Sequence, residues 1–233
     1  MFIVVKNRLN KILCYTLIFT LLFVANSITA NATVSVSPSS KFCVVLDAGH
    51  GGIDGGCVGV NTGVKESEIT LDISKKVEQY LTALGITVIQ TRTNEDGLYG
   101  VFASGFKKKD LKAREEIIRN ANANLLVSIH LNAYTGSSSR GAQVFYTKNS
   151  EVSKELASSL QELFVKNLVN ARKSALLGDY YILNCTDTAG ILVECGFLSN
   201  PEEELLLIDD DYQDKMAYNI ACGILNYFDL TDF

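Results

Sequence analysis

Short apolar runs alternate along this chain with longer stretches in which apolar residues recur every three or four positions. The short runs predict buried strands at residues 42–46, 86–90, 125–129, 143–146 and 191–195. The periodic stretches predict helices at residues 67–85, 111–123, 152–169 and 211–228. Residues 93–110 are predicted to form a long loop. The alternation favours a single α/β domain over residues 41–231, with a twisted, mostly parallel sheet flanked by helices on both faces.

The first 32 residues follow a different pattern. Basic residues without any acid precede a mostly apolar run at residues 12–25, and Ala30 and Ala32 supply the small residues of a cleavage site. The apolar run is shorter than the ~18–20 residues expected of a membrane-spanning helix. We therefore predict a signal peptide at residues 1–32, with an uncleaved membrane anchor as the alternative, and a short lead at residues 33–40.

Composition narrows the classes of function. The chain is 47% hydrophobic with a net charge of −5, which permits a folded core and argues against a nucleic-acid-binding protein. Five of its cysteines lie beyond the predicted leader, and an odd number without a CxxC pair indicates small apolar side chains more than a disulfide framework. The chain has only two histidines, so any histidine-based chemistry must use one or both of them.

Both histidines follow predicted strands. His50 lies in the glycine-rich segment after residues 42–46, and His130 follows residues 125–129. Because the carboxyl ends of parallel strands meet at the ligand-binding edge of a sheet, we expect the two histidines to lie close together. Glu66, at the start of the first predicted helix, is the natural third ligand. Two histidines and one glutamate leave an open position, which is typical of a hydrolytic zinc site.

Glu194 stands inside an apolar strand, where a carboxylate is costly to bury unless it is paired or lies near a metal. We predict that Glu194 is the catalytic general base, which takes a proton from the attacking water and then returns it to the leaving group. Asp47 and Asn132 are expected to support the ligand residues without binding the metal themselves.

Each residue also has a plainer interpretation when it is taken alone. Either histidine could be an ordinary loop or core residue, Glu66 a helix-capping acid, and Glu194 half of a buried ion pair. Cys57 is an alternative redox or metal-binding residue in the glycine-rich segment. The three lysines at 107–109 are predicted to be a solvated loop that could contact an acidic polymer. The joint placement of four chemically matched residues at one sheet edge favours the zinc site.

Phosphate binding is a weaker interpretation of the glycine-rich segment. The segment lacks the GK[ST] sequence of a phosphate-binding loop, and Asp54 stands where a dinucleotide fingerprint needs glycine. Cys195 is also a poor candidate nucleophile. Adjacent strand residues point to opposite faces, so Cys195 and Glu194 are not expected to share a site.

Four motifs carry a resemblance to a known family. They are DAGHGG at residues 47–52, ESEITL at 66–71, SIHLNA at 128–133 and LVECGFLSNP at 192–201. In this order the motifs resemble the zinc N-acetylmuramoyl-L-alanine amidases of the amidase_3 type. The resemblance implies a sheet of about six strands, zinc bound by His50, Glu66 and His130, and Glu194 as the catalytic residue. It also implies hydrolysis of the amide between N-acetylmuramic acid and L-alanine in peptidoglycan.

Three further segments are similar to the CwlD-type amidases of endospore formers: KKDLKAR at residues 108–114, DYYIL at 179–183 and NPEEE at 200–204. That similarity implies muramic-δ-lactam formation in spore-cortex peptidoglycan. With the predicted leader, it implies export to the forespore intermembrane space or cortex. Two alternatives stay open. One is a partner-dependent or regulatory peptidoglycan-binding protein on an amidase fold, and the other is a zinc peptidase that acts within the stem peptide. A membrane-associated accessory protein is a further expected partner, needed for localisation or activity.

Overall fold

The computed structural model describes residues 41–101, 103–148 and 150–230, so the predicted signal peptide and lead lie outside the described residues. The strands are β1 (Cys43–Ala48), β2 (Thr87–Gln90), β3 (Leu125–Asn132), β4 (Gln143–Tyr146), β5 (Leu176–Leu177) and β6 (Gly190–Phe197). The helices are α1 (Glu66–Ala83), α2 (Phe106–Asn120), α3 (Glu151–Asn167), α4 (Tyr181–Asn184), α5 (Pro201–Leu207) and α6 (Asp210–Tyr227).

The six strands form one sheet in the order β2-β1-β3-β6-β4-β5. Neighbouring strands pair in parallel except for β4 and β6, which are antiparallel. The carboxyl ends of β1, β3 and β6 therefore meet at one edge of the sheet. His50 lies just beyond β1, and His130 and Glu194 lie in the carboxyl-terminal halves of β3 and β6. The predicted α/β fold with a mostly parallel sheet is confirmed.

Helices cover both faces of the sheet. Val44 and Leu46 of β1 point to one face and pack in the larger core with side chains from α1, α3 and α6. Val45 points to the other face and packs in a smaller core with Ile118 of α2 and Ile182 of α4. This alternation of neighbouring strand residues is what gives the two sides of the sheet separate cores.

The structure corrects the predicted course of residues 93–110. Helix α2 begins at Phe106, so Lys107, Lys108 and Lys109 lie in its first turn and not in a loop. The sequence reasoning missed this turn because a run of lysines has no apolar periodicity. Strand β3 also continues beyond the predicted end at residue 129 to Asn132. The elements β5, α4 and α5 are too short to produce a periodic signal.

The five cysteines of the described residues are free thiols. Cys185 and Cys195 are buried, and the other three are partly buried, so these side chains serve mainly as small apolar groups. Among the helices of the described ranges, none combines the length and the apolar character needed to cross a membrane.

Candidate active site

His50, Glu66 and His130 come together at the carboxyl edge of the sheet. One nitrogen from each histidine and one oxygen from the glutamate lie within 4.8 Å of one another. Glu66 Oε1 is 3.2 Å from His50 Nε2 and 2.9 Å from His130 Nδ1. Two imidazoles and a carboxylate at this spacing could hold a divalent metal ion, and zinc is commonly bound by these donors.

Glu66 is fixed by hydrogen bonds from two different segments. Its Oε2 accepts from the backbone N–H of Cys57 at 2.9 Å, and its Oε1 accepts from the backbone N–H of Leu131 at 3.0 Å. Burial alone would raise the pKa of Glu66, but the hydrogen bonds and charges of His130 and His50 lower it well below its usual range. The carboxylate therefore stays charged and keeps the orientation that a metal ligand needs.

His50 has an uncommon backbone conformation. Its φ of 63° lies in the left-handed region, which costs a non-glycine residue roughly 1–2 kcal/mol. A guanidinium N–H of Arg114 donates to the backbone carbonyl of His50. On the side chain, Nδ1 lies 3.1 Å from Asp54 Oδ2. Burial lowers the pKa of His50, but the carboxylates of Glu66 and Asp54 more than reverse this and raise it overall.

Two glycines allow the close approach of the ligands. A Cβ atom at Gly49 would lie 2.3 Å from the imidazole ring of His130, so the backbone can cross this ring only without a side chain. A Cβ atom at Gly56, where φ is 72°, would lie 2.4 Å from Oε2 of Glu66. The glycine-rich segment is therefore explained by packing against the ligands.

A buried arginine joins the two segments that carry His50 and Glu66. Arg92 Nε donates to the carbonyl of Ala48 at 2.9 Å, and its Nη2 donates to the carbonyls of Gly49 and Ser67 at 2.9 and 2.7 Å. Burial and the nearby positive charge of Arg114 lower the pKa of Arg92 to about 10. Sequence reasoning missed Arg92, because a single arginine after a strand gives no signal that it is buried.

Asp47 is linked to His50 through Arg114, which contacts both the Asp47 carboxylate and the His50 backbone carbonyl. Its carboxylate accepts hydrogen bonds from Thr91, Arg114 and Ser128 at 2.8, 2.7 and 2.7 Å. Burial would raise the pKa of Asp47, but the charge of Arg114 and the hydrogen bond from Ser128 lower it to about 2. Sequence reasoning also missed Arg114. It lies in helix α2 among several other charged residues, so nothing in the local sequence marks it as buried.

Asn132 contacts its surroundings differently from the prediction. Its backbone carbonyl lies 3.8 Å from Sγ of Cys57, and its side chain lines a separate cavity with Arg172 and Phe197. Across the described ranges, no hydrogen bond joins the Asn132 side chain to either histidine, so a supporting role for Asn132 stays a prediction.

Cys57 does not belong to the metal-binding group. Its Sγ lies 3.5 Å from the backbone carbonyl of Leu131, in the position of a thiol donor. Burial and the neighbouring charge of Glu66 raise the pKa of Cys57 well above its usual range. Because the thiol is held against the protein's own backbone, the geometry favours a packing role.

Glu194 faces the same space as the ligands. It pairs with His130 across β3 and β6, and it lines a cavity of about 280 Å³, here called the ligand cavity, together with His50, His130 and Tyr180. Within the described residues its Oε2 atom has no hydrogen-bond partner, although Glu194 is only 8% exposed. Burial raises the pKa of Glu194 to about 7 against the opposing charges of the two histidines. Such a carboxyl group can accept and return a proton near neutral pH.

Comparison with known proteins agrees with this geometry. Residues 44–226 match the Amidase_3 family, described as N-acetylmuramoyl-L-alanine amidase. The chain is 38% identical over 195 residues to the germination-specific N-acetylmuramoyl-L-alanine amidase of Bacillus subtilis strain 168, which covers 82% of this chain and 81% of that protein.

Solved structures give the same result. The CwlD amidase of Clostridioides difficile, determined in complex with the GerS lipoprotein, is similar with a TM-score of 0.77 and 38% identity, over 81% of this chain and 99% of that one. The catalytic domain of CwlV from Bacillus (Paenibacillus) polymyxa var. colistinus is similar with a TM-score of 0.71 and 32% identity, over 82% and 99% of the two chains. This chain therefore belongs to the Amidase_3 family of N-acetylmuramoyl-L-alanine amidases.

Proposed function

We propose that this protein hydrolyses the amide bond between N-acetylmuramic acid and L-alanine in peptidoglycan. The observation that carries the proposal is the meeting of His50, Glu66 and His130 beside an unpartnered, buried Glu194. Family membership and the names of the relatives support this choice of substrate.

His50, Glu66 and His130 would hold a zinc ion. Their donor set fits zinc, and the unpartnered Oε2 of Glu194 in the same cavity fits a site that handles water. When it is bound, zinc supplies a Lewis acid that polarises a carbonyl oxygen and promotes the ionisation of water.

Glu194 would move the proton during the reaction. Its Oε2 takes a proton from water while the water oxygen forms a bond to the amide carbon. The carbon–nitrogen bond then breaks, and Glu194 returns the proton to the departing nitrogen. The products are the lactyl carboxylate of N-acetylmuramic acid and a peptide with a free amino terminus. A pKa near 7 suits both transfers at neutral pH.

Tyr180 supplies a further polar group to the ligand cavity. Burial and the charge of Glu194 raise the pKa of the Tyr180 phenol to about 12. The phenol therefore stays protonated at neutral pH, and it can donate a hydrogen bond to a substrate oxygen in this cavity.

The relatives also support a biological setting for this reaction. We propose that the protein removes stem peptides during muramic-δ-lactam formation in the spore cortex, after export directed by the predicted leader. The similarity to a germination-specific amidase supports this setting. A membrane-associated accessory protein is also proposed, since the similar CwlD amidase was solved with a lipoprotein.

Mass spectrometry of digested peptidoglycan tests the reaction. An amidase leaves muramic acid without alanine and releases peptides that begin with L-alanine, whereas a peptidase acting within the stem leaves alanine attached to muramic acid. The purified protein is assayed with zinc, alone and with the accessory protein, and Glu194→Gln is the matched control. Alanine retained on muramic acid would contradict the proposed reaction, and activity only in the presence of the accessory protein would favour the partner-dependent alternative.

A further inference from the structure

A second cavity adjoins the ligand cavity on the side of helix α2. It has a volume of about 600 Å³, and its walls include Lys108, Lys109 and Lys112. Leu111 and Tyr181 line this cavity as well as the ligand cavity. The two cavities therefore lie next to each other and share these two side chains, and we call the second one the lysine cavity.

The walls of the lysine cavity offer apolar surface to a ligand. Leu111 and Tyr181 are 38% and 48% exposed, so both side chains leave apolar surface open to a ligand. The Tyr181 hydroxyl donates a hydrogen bond to Oε2 of Glu115, which fixes the ring at the junction of the two cavities. A fixed aromatic ring beside an aliphatic side chain is a good surface for the backbone and side chains of an extended peptide.

The rim of the lysine cavity carries positive charge that the protein itself does not neutralise. Two lysines of this region form ion pairs within the protein. Lys107 Nζ lies 2.9 Å from Asp54 Oδ1, and Lys112 Nζ lies 2.9 Å from Glu115 Oε2. Lys108 and Lys109 are exposed, and the described part of the chain gives neither of them an ion-pair partner. These two ammonium groups form a local positive patch, although the whole chain has a net charge of −5.

Stability does not explain the placement of these lysines. Three consecutive lysines occupy the first turn of α2, and that turn contains no acidic residue. The positive end of the helix dipole lies there, so each lysine is placed where a cation is unfavourable. Lys108 and Lys112 stand four residues apart on the helix, and this like-charge pair adds to the disadvantage. An arrangement that lowers helix stability is more readily explained by binding.

We propose that the lysine cavity binds the peptide part of the substrate, and that Lys108 and Lys109 recognise free carboxylate groups on that peptide. The proposal rests on the proposed function, because it places the scissile amide in the ligand cavity. A peptide attached through its amino end has its carboxyl terminus free, and any acidic side chain adds to this negative charge. The charge of the rim and its position beside the ligand cavity both fit such a peptide.

The test compares two soluble N-acetylmuramoyl-peptides that differ only in whether their carboxyl groups are free or amidated. We expect wild-type protein loaded with zinc to have the lower KM for the free acid. The double substitution Lys108→Gln and Lys109→Gln should raise that KM about fivefold, as expected for two solvent-exposed ion pairs. It should leave kcat and the KM for the amidated peptide unchanged.

A charge-reversed variant and a matched control complete the design. Lys108→Glu with Lys109→Glu should reverse the preference, so that the amidated peptide has the lower KM. Lys166→Gln with Lys215→Gln removes two exposed lysines from α3 and α6, on the opposite face of the sheet, and should change neither KM. Added salt should weaken the preference of the wild-type protein.

The outcomes separate this proposal from the proposed function. Cleavage of both peptides with equal KM by wild-type protein, or an unchanged preference in the Lys108 and Lys109 variants, would overturn the proposal for the lysine cavity alone. Failure of the zinc-loaded wild-type protein to cleave either peptide would overturn the proposed function and this proposal with it.

Discussion

The side chain of Arg114 holds the backbone carbonyl of His50, a ligand residue whose φ of 63° lies in the left-handed region. The same guanidinium donates hydrogen bonds to the carbonyl of Ala48 and to the carboxylates of Asp47 and Asp110. The donor–acceptor distance is 2.7 Å or less in all three. Helix α2 thereby fixes the strained turn at the end of β1. The position of His50 is set from a helix more than 60 residues away along the chain.

Arg114→Lys should weaken zinc binding while the fold is retained. Lysine keeps the charge beside Asp47 but cannot reproduce the forked hydrogen bonds to two carbonyls, so the turn at His50 loses its orientation. We expect the zinc Kd to rise by roughly tenfold or more, measured by competition with a chelating dye. Arg119→Lys is the matched control, because Arg119 lies on the same helix with its side chain 57% exposed. Equal zinc affinity in the two variants would contradict the role of Arg114.

His50→Ala and His130→Ala should each abolish zinc binding and activity. The chain contains no third histidine that could replace a lost ligand. Metal content by atomic emission and peptide release from peptidoglycan are the measurements. Cys57→Ser provides the control, since the thiol lies against backbone carbonyls outside the metal-binding group and its replacement should leave the zinc content unchanged. Loss of zinc in Cys57→Ser would revive Cys57 as a ligand.

Glu194→Gln should retain zinc but lower kcat by roughly 100- to 10,000-fold, the usual contribution of a general acid–base group. Glutamine has the same shape and cannot take up a proton, so it separates proton transfer from packing. Release of stem peptides by the variant, quantified by mass spectrometry, gives kcat. Release at the normal rate would exclude Glu194 as the proton carrier.

The same substitution should stabilise the metal-free protein at alkaline pH. The pKa of Glu194 is raised to about 7 in the folded state, from an unperturbed value of 4.5, so its charged form is disfavoured by folding. The resulting loss of stability begins as pH rises above the unfolded pKa and is complete above the folded pKa. It amounts to about 3 kcal/mol.

Thermal melts of the chelated protein test this second effect of Glu194→Gln. The Tm of the variant should exceed that of wild type at pH 8, and the two values should coincide at pH 4 apart from a small constant offset. A Tm difference that is independent of pH would show that the raised pKa of Glu194 does not govern stability. The thermal melts and the kinetic measurement together show whether the Glu194 carboxyl group favours catalysis at the expense of stability.

The sequence was sufficient to place the candidate site residues at one edge of the sheet, because their signals are local. His50, His130 and Glu194 each stand beside or inside an apolar run that forms a strand, and the parallel arrangement of those strands places their ends at one edge. The fold class was predicted from equally local signals, the alternation of strand and helix patterns along the chain. The alternation of side chains along β6 also separated Glu194 from Cys195, which packs in the larger core on the other face.

The two buried arginines beside the site could not be predicted in this way. Arg92 and Arg114 act through carbonyl groups that are distant in sequence, and a buried arginine has the same local pattern as an exposed one. The first turn of α2 was missed because its three lysines resemble a loop. Only the tertiary structure shows that the Lys108 and Lys109 side chains rim a cavity beside the candidate active site.

The hydrogen bonds to Glu66 have a consequence for assembly. Both of its oxygens accept backbone N–H groups, from Cys57 and from Leu131, so the carboxylate is already oriented by the protein alone. We therefore expect the protein to fold without the ion, in contrast to small zinc domains that unfold without their metal. A chelator should inactivate the enzyme without denaturing it, and returning zinc to the folded apoprotein should restore activity in the time needed for binding.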